Sequence, residues 1–132
     1  MTRHYIQLRY YIATALAVIL LSTEGCSFRK TEHRLNLVES LLKENPAYAL
    51  RTIDSIDAKT LIFKDHKARY SLLRAIALDK NIIDTTDINI IMPAVNYFRR
   101  HGSPDEKLKA YLYLGRIWLT CKVPCLSYPK IL

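Results

Sequence analysis

Three cysteines and a few spaced cations carry most of the reactive chemistry in this chain. Cys26 follows Gly25 at the end of the apolar run IATALAVILLSTEGC, residues 12–26. Arg3 and Arg9 precede that run with no acid, and its strongly apolar part, Tyr10 to Leu21, has the length of an export-signal h-region. A cysteine just after a small residue at the cleavage zone is the placement of a lipid-modification signal. Cleavage before Cys26 would leave its thiol as the lipid-bearing first residue. Thr23 and Glu24 depart from the Leu and small residue usual three and two places before such a cysteine. An uncleaved hydrophobic anchor and ordinary cleaved export are the alternatives, although the run is short of the about 20 apolar residues that a spanning helix needs.

Cys121 and Cys125 lie four apart near the C-terminus. In an exported protein they are read as a disulfide or as two idle thiols. Zinc would need two more ligands at suitable spacing, and His4, His33, His66 and His101 offer no local set. No metal and no cofactor is expected. No Gly-rich phosphate loop, G-x-S-x-G or HExxH occurs. Asp65-His66 and Asp54-x2-Asp57 are pairs that any helical surface shows, so no catalytic residue is assigned and no enzyme is expected.

The formal net charge is +8, with 20 basic and 12 acidic residues among 132. Basic residues never run longer than two, and acids are scattered among them. This pattern describes solvated helix faces better than a nucleic-acid tract, and no nucleic-acid partner is expected.

Positioning these groups falls to helices. Gly is rare, Leu, Ile, Ala and Lys are plentiful, and no alternating Val/Thr run occurs. Residues 1–25 read as the signal, 26–31 as a polar tether, 32–119 as a helical domain and 120–132 as an irregular tail with Pro124 and Pro129. Leu35, Val38 and Leu42 give the stripe of a first domain helix. Asn45-Pro46 caps a second helix to about Ile56 that buries Ala49, Leu50, Ile53 and Ile56. Leu61 and Phe63 are expected core plugs in the connection, before a third helix from His66 to Lys80. A fourth, from about Asp87 to His101, contains Pro93, so it either kinks or begins near Met92 after a looser turn. Gly102 ends it, and Ser103-Pro104-Asp105-Glu106 is a capping box opening a fifth helix to about Leu119.

The helices carry a repeat. Tyr111-x2-Leu114-Gly115-x2-Trp118 has aromatics around a small residue that admits a neighbouring helix. Ala94-x3-Phe98 and Ala49-x3-Ile53 suit the second helix of such a hairpin. A shift of about 40 residues carries Ser71 and Ala75 onto Tyr111 and Gly115, against a usual period of about 34. With NPAYALRTIDSID, KARYSLLRAIALDKN and YFRRHGSPDEKLKAYLYLGRIW behind an export signal, the chain resembles the tetratricopeptide-repeat lipoproteins of Gram-negative bacteria.

That resemblance implies an all-α fold of antiparallel helix hairpins, stacked as a short solenoid of about two and a half repeats after the N-terminal segment. It implies an exported chain, anchored on the periplasmic side through lipid at Cys26, that scaffolds a protein or peptide partner. The expected packing residues are Ala75, Ala94, Phe98, Tyr111, Leu114, Gly115 and Trp118. Arg69, Lys109 and Arg116 are the candidate partner-binding cations on the concave side. The repeat opened by Tyr111 lacks its second helix, in which case Trp118 would lie exposed. The alternative reading is therefore a truncated N-terminal piece of a larger membrane-bound sensor or regulator.

Overall fold

The computed structural model describes the backbone of residues 2–122, and their side chains other than those of residues 2–5, 19–27 and 122. Among these residues are five α-helices, two single turns of 3-10 helix and no strand. The helices are α1 (Thr2–Glu44), α2 (Pro46–Asp54), α3 (Lys64–Lys80), α4 (Met92–His101) and α5 (Pro104–Lys122). The 3-10 turns are Ala58–Thr60 and Ile88–Ile90. The fold class is all-α, as the composition indicates. Contacts divide the chain into two compact units, Met1–His33 and Arg34–Leu132.

The first unit is helical throughout its described residues and exposes Ile6, Leu8, Tyr10, Tyr11, Ile12, Leu16 and Val18. Thr14 Oγ1 donates back to the Tyr10 and Tyr11 carbonyls, 3.0 Å from each. Among the described residues no helix is long and apolar enough to cross a membrane. Residues 26–31, read from their polarity as a tether, are helical: nothing in SFRKTE breaks a helix, and polarity alone does not unwind one.

In the second unit, residues 34–44 of α1 bury Leu35, Val38 and Leu42 against Ala49 and Ile53 of α2, together with Ile56 and Leu61. Asn45 caps α2 by accepting from the Tyr48 N–H at 3.0 Å, with Pro46 in the first turn. Leu73 and Ala77 of α3 complete this cluster. Phe63, the other expected plug, is exposed and stands edge-on to His66 at 5.6 Å. The second cluster joins Ala68, Leu72 and Ala75 of α3 to Ile91, Ala94, Val95 and Phe98, and then to Ala110 and Ile117 of α5. Ser71, also buried, donates its hydroxyl to the Ile90 carbonyl.

Pro93 does not kink a helix. The backbone turns through Ile88–Ile90 first, and α4 starts at Met92, so the missing N–H falls in the first turn where it has no intrahelical partner to lose. Gly102 ends α4, but in extended backbone (φ −81°, ψ 155°) rather than the left-handed form. The side chain is excluded by crowding: a Cβ there would sit 2.8 Å from the Phe98 Cβ. The capping box forms as read. Glu106 Oε2 accepts from the Ser103 N–H at 2.8 Å, and Ser103 Oγ accepts from the Glu106 N–H at 3.3 Å.

One turn carries strain. Ile82 has φ +57°, the left-handed region that a β-branched side chain disfavours. It closes the C-terminus of α3: the Ile82 N–H donates to Asp79 O and the Ile83 N–H to Leu78 O, each at 3.0 Å. The helix ends correctly with the wrong residue for the job.

Candidate functional site: a groove along three helices

Three helices run side by side in the same direction. Arg69, early in α3, reaches Asn36 Oδ1 at 2.8 Å and Glu39 Oε2 at 3.2 Å on the last turns of α1. Asp79, late in α3, pairs with Arg116, late in α5, at 2.8 Å. Residues 34–44, α3 and α5 are therefore parallel neighbours, and α2 and α4 pack on them. This follows from loop lengths and helix stripes: each short helix returns the chain so that the next long one starts at the same end.

A groove of about 610 Å³ lies along these three helices. Leu42, Leu72, Leu73, Ile76, Phe98, Leu112 and Tyr113 supply its apolar surface. Lys43, Arg69, Lys80 and Lys109 bring cations to it, and Glu39, Asp105 and Glu106 bring acids. Of the three candidate cations, Arg69 and Lys109 come together here, forty positions apart on equivalent sites of α3 and α5. Arg116 does not join them. It turns into a separate crevice with Asp79, Ile83, Thr85 and Thr120, and its guanidinium stands 5.9 Å from the Tyr113 ring centre.

Two of the groove cations, Arg69 and Lys109, already have partners inside the chain. Lys109 Nζ bonds Asp105 Oδ2 one turn back at 2.6 Å, and that hydrogen bond is the main reason its ammonium titrates above the ordinary lysine value. Burial pushes the Tyr113 phenol up, with Asp79 adding to the shift and Arg116 opposing it. Exposed pairs of this kind contribute about 0–1 kcal/mol each and exchange readily for another carboxylate. The groove can therefore hold an apolar segment and trade its own acids for those of a ligand. Among the described residues no three His, Cys, Asp or Glu side chains gather to hold a metal.

The remaining sequence-derived residues divide sharply. Ala75, Ala94 and Phe98 are buried together in the second cluster, and Leu114 packs partly against it. Tyr111, expected in the core, is instead 46% exposed, and Trp118 is 48% exposed, the alternative that the sequence reading left open for it. Among the described residues no helix approaches Gly115 closely: an added Cβ would meet nothing within 4 Å. The face that α5 buries is one step round, Ala110 and Ile117 with half-buried Tyr113, because α4 and α3 lie on that side. Reading the aromatics as the packing face missed it, although Ala110, Tyr113 and Ile117 form an equally regular stripe. Cys121 is exposed at the end of α5, where residues 120–122 continue the helix rather than opening the irregular tail. Cys125 and the tail beyond residue 122 lie outside the described residues, and the side chain of Cys26 does too.

No family model, no curated protein and no solved structure matches this chain.

Proposed function

We propose that this chain is a membrane-tethered protein-interaction module of the bacterial cell envelope, a short tetratricopeptide-like solenoid whose groove holds a segment of a partner protein. The observation that supports it is the register of Arg69 and Lys109 on parallel helices above a continuous apolar floor. A partner segment with alternating carboxylate and apolar side chains suits that chemistry, since its acids can replace Glu39 and Asp105 on the cations.

The tether in this reading is lipid on Cys26, after export and removal of residues 1–25. One acyl chain gives only marginal membrane binding and two give stable anchoring. Cys26→Ala is expected to abolish fatty-acid labelling and move the protein from the membrane to the soluble fraction. Retention in the membrane, with no labelling of either form, would replace the lipid tether by an uncleaved anchor.

Site-specific photo-crosslinking in the intact cell tests the groove. A photoreactive residue at Lys43, on the groove rim, should give a discrete adduct, and the same residue at Lys64, outside it, should not. Lys109→Glu should deplete the adduct while leaving the circular dichroism unchanged. Equal adducts from both positions, or an adduct indifferent to Lys109→Glu, would remove the groove from the proposal.

A further inference from the structure

The two ends of the second unit carry opposite charge. Arg34, where the chain enters it, donates to Ser55 Oγ at 2.6 Å, so that entry lies beside the end of α2. The helices alternate in direction, which brings the starts of α3 and α5 and the end of α4 to the same entry end. Residues 55–67 and 99–107 close it and hold six lysines and arginines against four acids. At the far end, residues 43–48, 79–87 and 120–122 hold three against four.

Pairing widens the contrast. Three of the four entry-end acids are engaged within the chain: Asp57 by the Lys59 N–H at 2.9 Å, Asp105 by Lys109, and Glu106 by the Ser103 N–H. The cations are not. Among the described residues Lys59, Lys64, Lys67, Arg99, Arg100 and Lys107 make no ion pair. Ile62, between Lys59 and Lys64 in the chain, is 78% exposed.

We propose that this entry end rests on the anionic headgroups of a lipid surface, with Ile62 entering the headgroup layer. The inference rests on the membrane attachment of the N-terminal segment proposed above. Reach is the first argument. Eight residues lead from Cys26 to Arg34 and span at most about 28 Å fully stretched, so any attachment at or before Cys26 holds the entry end close to the lipid. The far end lies about 25 Å away along the 17 residues of α3. Charge is the second argument. A lysine or arginine at an anionic surface adds about fivefold in affinity, and the effect fades within about a Debye length, so only the near end counts. Exposed apolar residues do not choose between the ends, because Ile82 at the far end is 90% exposed. The excess of free cations does. A basic patch is also the second signal that one acyl chain needs for stable anchoring.

The test places a single tryptophan at either end of the full chain, as Ile62→Trp or Ile82→Trp in a Trp118→Phe background. Each is mixed with phosphatidylcholine vesicles carrying brominated acyl chains, with and without phosphatidylglycerol. Emission from Ile62→Trp should be quenched on the phosphatidylglycerol vesicles and recover as salt rises, and emission from Ile82→Trp should not be quenched. Arg99→Glu with Arg100→Glu should weaken the quenching titration by roughly tenfold or more, with the circular dichroism unchanged. Equal quenching at both ends, or equal quenching of Ile62→Trp on neutral vesicles, overturns the proposal. So does an unquenched Ile62→Trp on both vesicles, which would leave the basic end to an acidic protein. A chain that sediments with vesicles while Ile62→Trp stays unquenched sinks this inference and leaves the membrane attachment standing. Quenching retained where Cys26 takes no fatty acid removes the lipid tether and leaves the surface contact standing.

Discussion

α3 and α5 carry one pattern and meet opposite fates. Ala68, Ser71, Leu72 and Ala75 on α3 are each no more than 6% exposed, beneath α4. Their counterparts Leu108, Tyr111 and Leu112 on α5 are about half exposed or more, and Gly115 faces open space. The buried stripe is made of small residues around Leu72, which let α4 approach, while the exposed one is bulkier. Helical periodicity says that a face is apolar. What decides its burial is whether another element is there to receive it.

Substitutions at matched positions break or sharpen this contrast. The largest effect belongs to the covered side: Phe98→Ala should cost about 3–5 kcal/mol by leaving a cavity between α3, α4 and α5. Trp118→Ala, at 48% exposure, should cost under about 1 kcal/mol in the monomer. Equal losses in chemical denaturation would mean that something covers Trp118 in the folded monomer. Next, Ala75→Leu should destabilise by about 1–3 kcal/mol through overpacking under α4. Gly115→Ala should act in the other direction, adding up to about 1 kcal/mol through helix propensity alone. That opposition is read directly from two melting temperatures, where about 1 kcal/mol corresponds to about 4–8 °C for a domain of this size.

Smaller effects separate the helix ends. Ile82→Gly should stabilise by about 1 kcal/mol, because glycine relieves the left-handed strain and the Ile82 side chain is 90% exposed and buries almost nothing. A loss of stability instead would show that Ile82 packs on something in solution. The smallest effect is alkaline. Burial holds the phenols of Tyr70 and Tyr113 above their ordinary value, so the fold favours their neutral forms. Their contribution is complete below about pH 10 and falls as pH rises through the raised values. Phenolate absorbance should show two tyrosines titrating late, and Tyr113→Phe should remove one of them.

Local chemistry was legible wherever a residue acts on its own neighbours. The Asn45-Pro46 start of α2, the Ser103–Glu106 box and the displacement of α4 to Met92 by Pro93 each follow from one backbone group and its satisfaction. The core stripes of α1, α2 and α3 were legible for the same reason, because their partners follow at short loop distance. Gly102 was recognised as a helix end for the wrong cause: crowding by Phe98, a tertiary detail, excludes its side chain rather than a positive φ. Phe63 looked like core and is not, since a lone apolar residue beside a turn has no periodicity to assign it a side. In the groove, the forty-residue register of Arg69 and Lys109 was visible. The pairing of Arg116 with Asp79 was not, because that contact joins two helices that the chain separates by a whole hairpin.

The sequence alone determined the helical class, the capped helix starts and the faces on which apolar residues gather, since all of these arise within one turn or two of backbone. Only the tertiary structure decided which of the two apolar faces of α5 is buried and which cations share a groove. The physical reason is that one helix can carry several equally regular stripes. The choice among them depends on burial against residues far away in the chain, and local pattern does not encode distance.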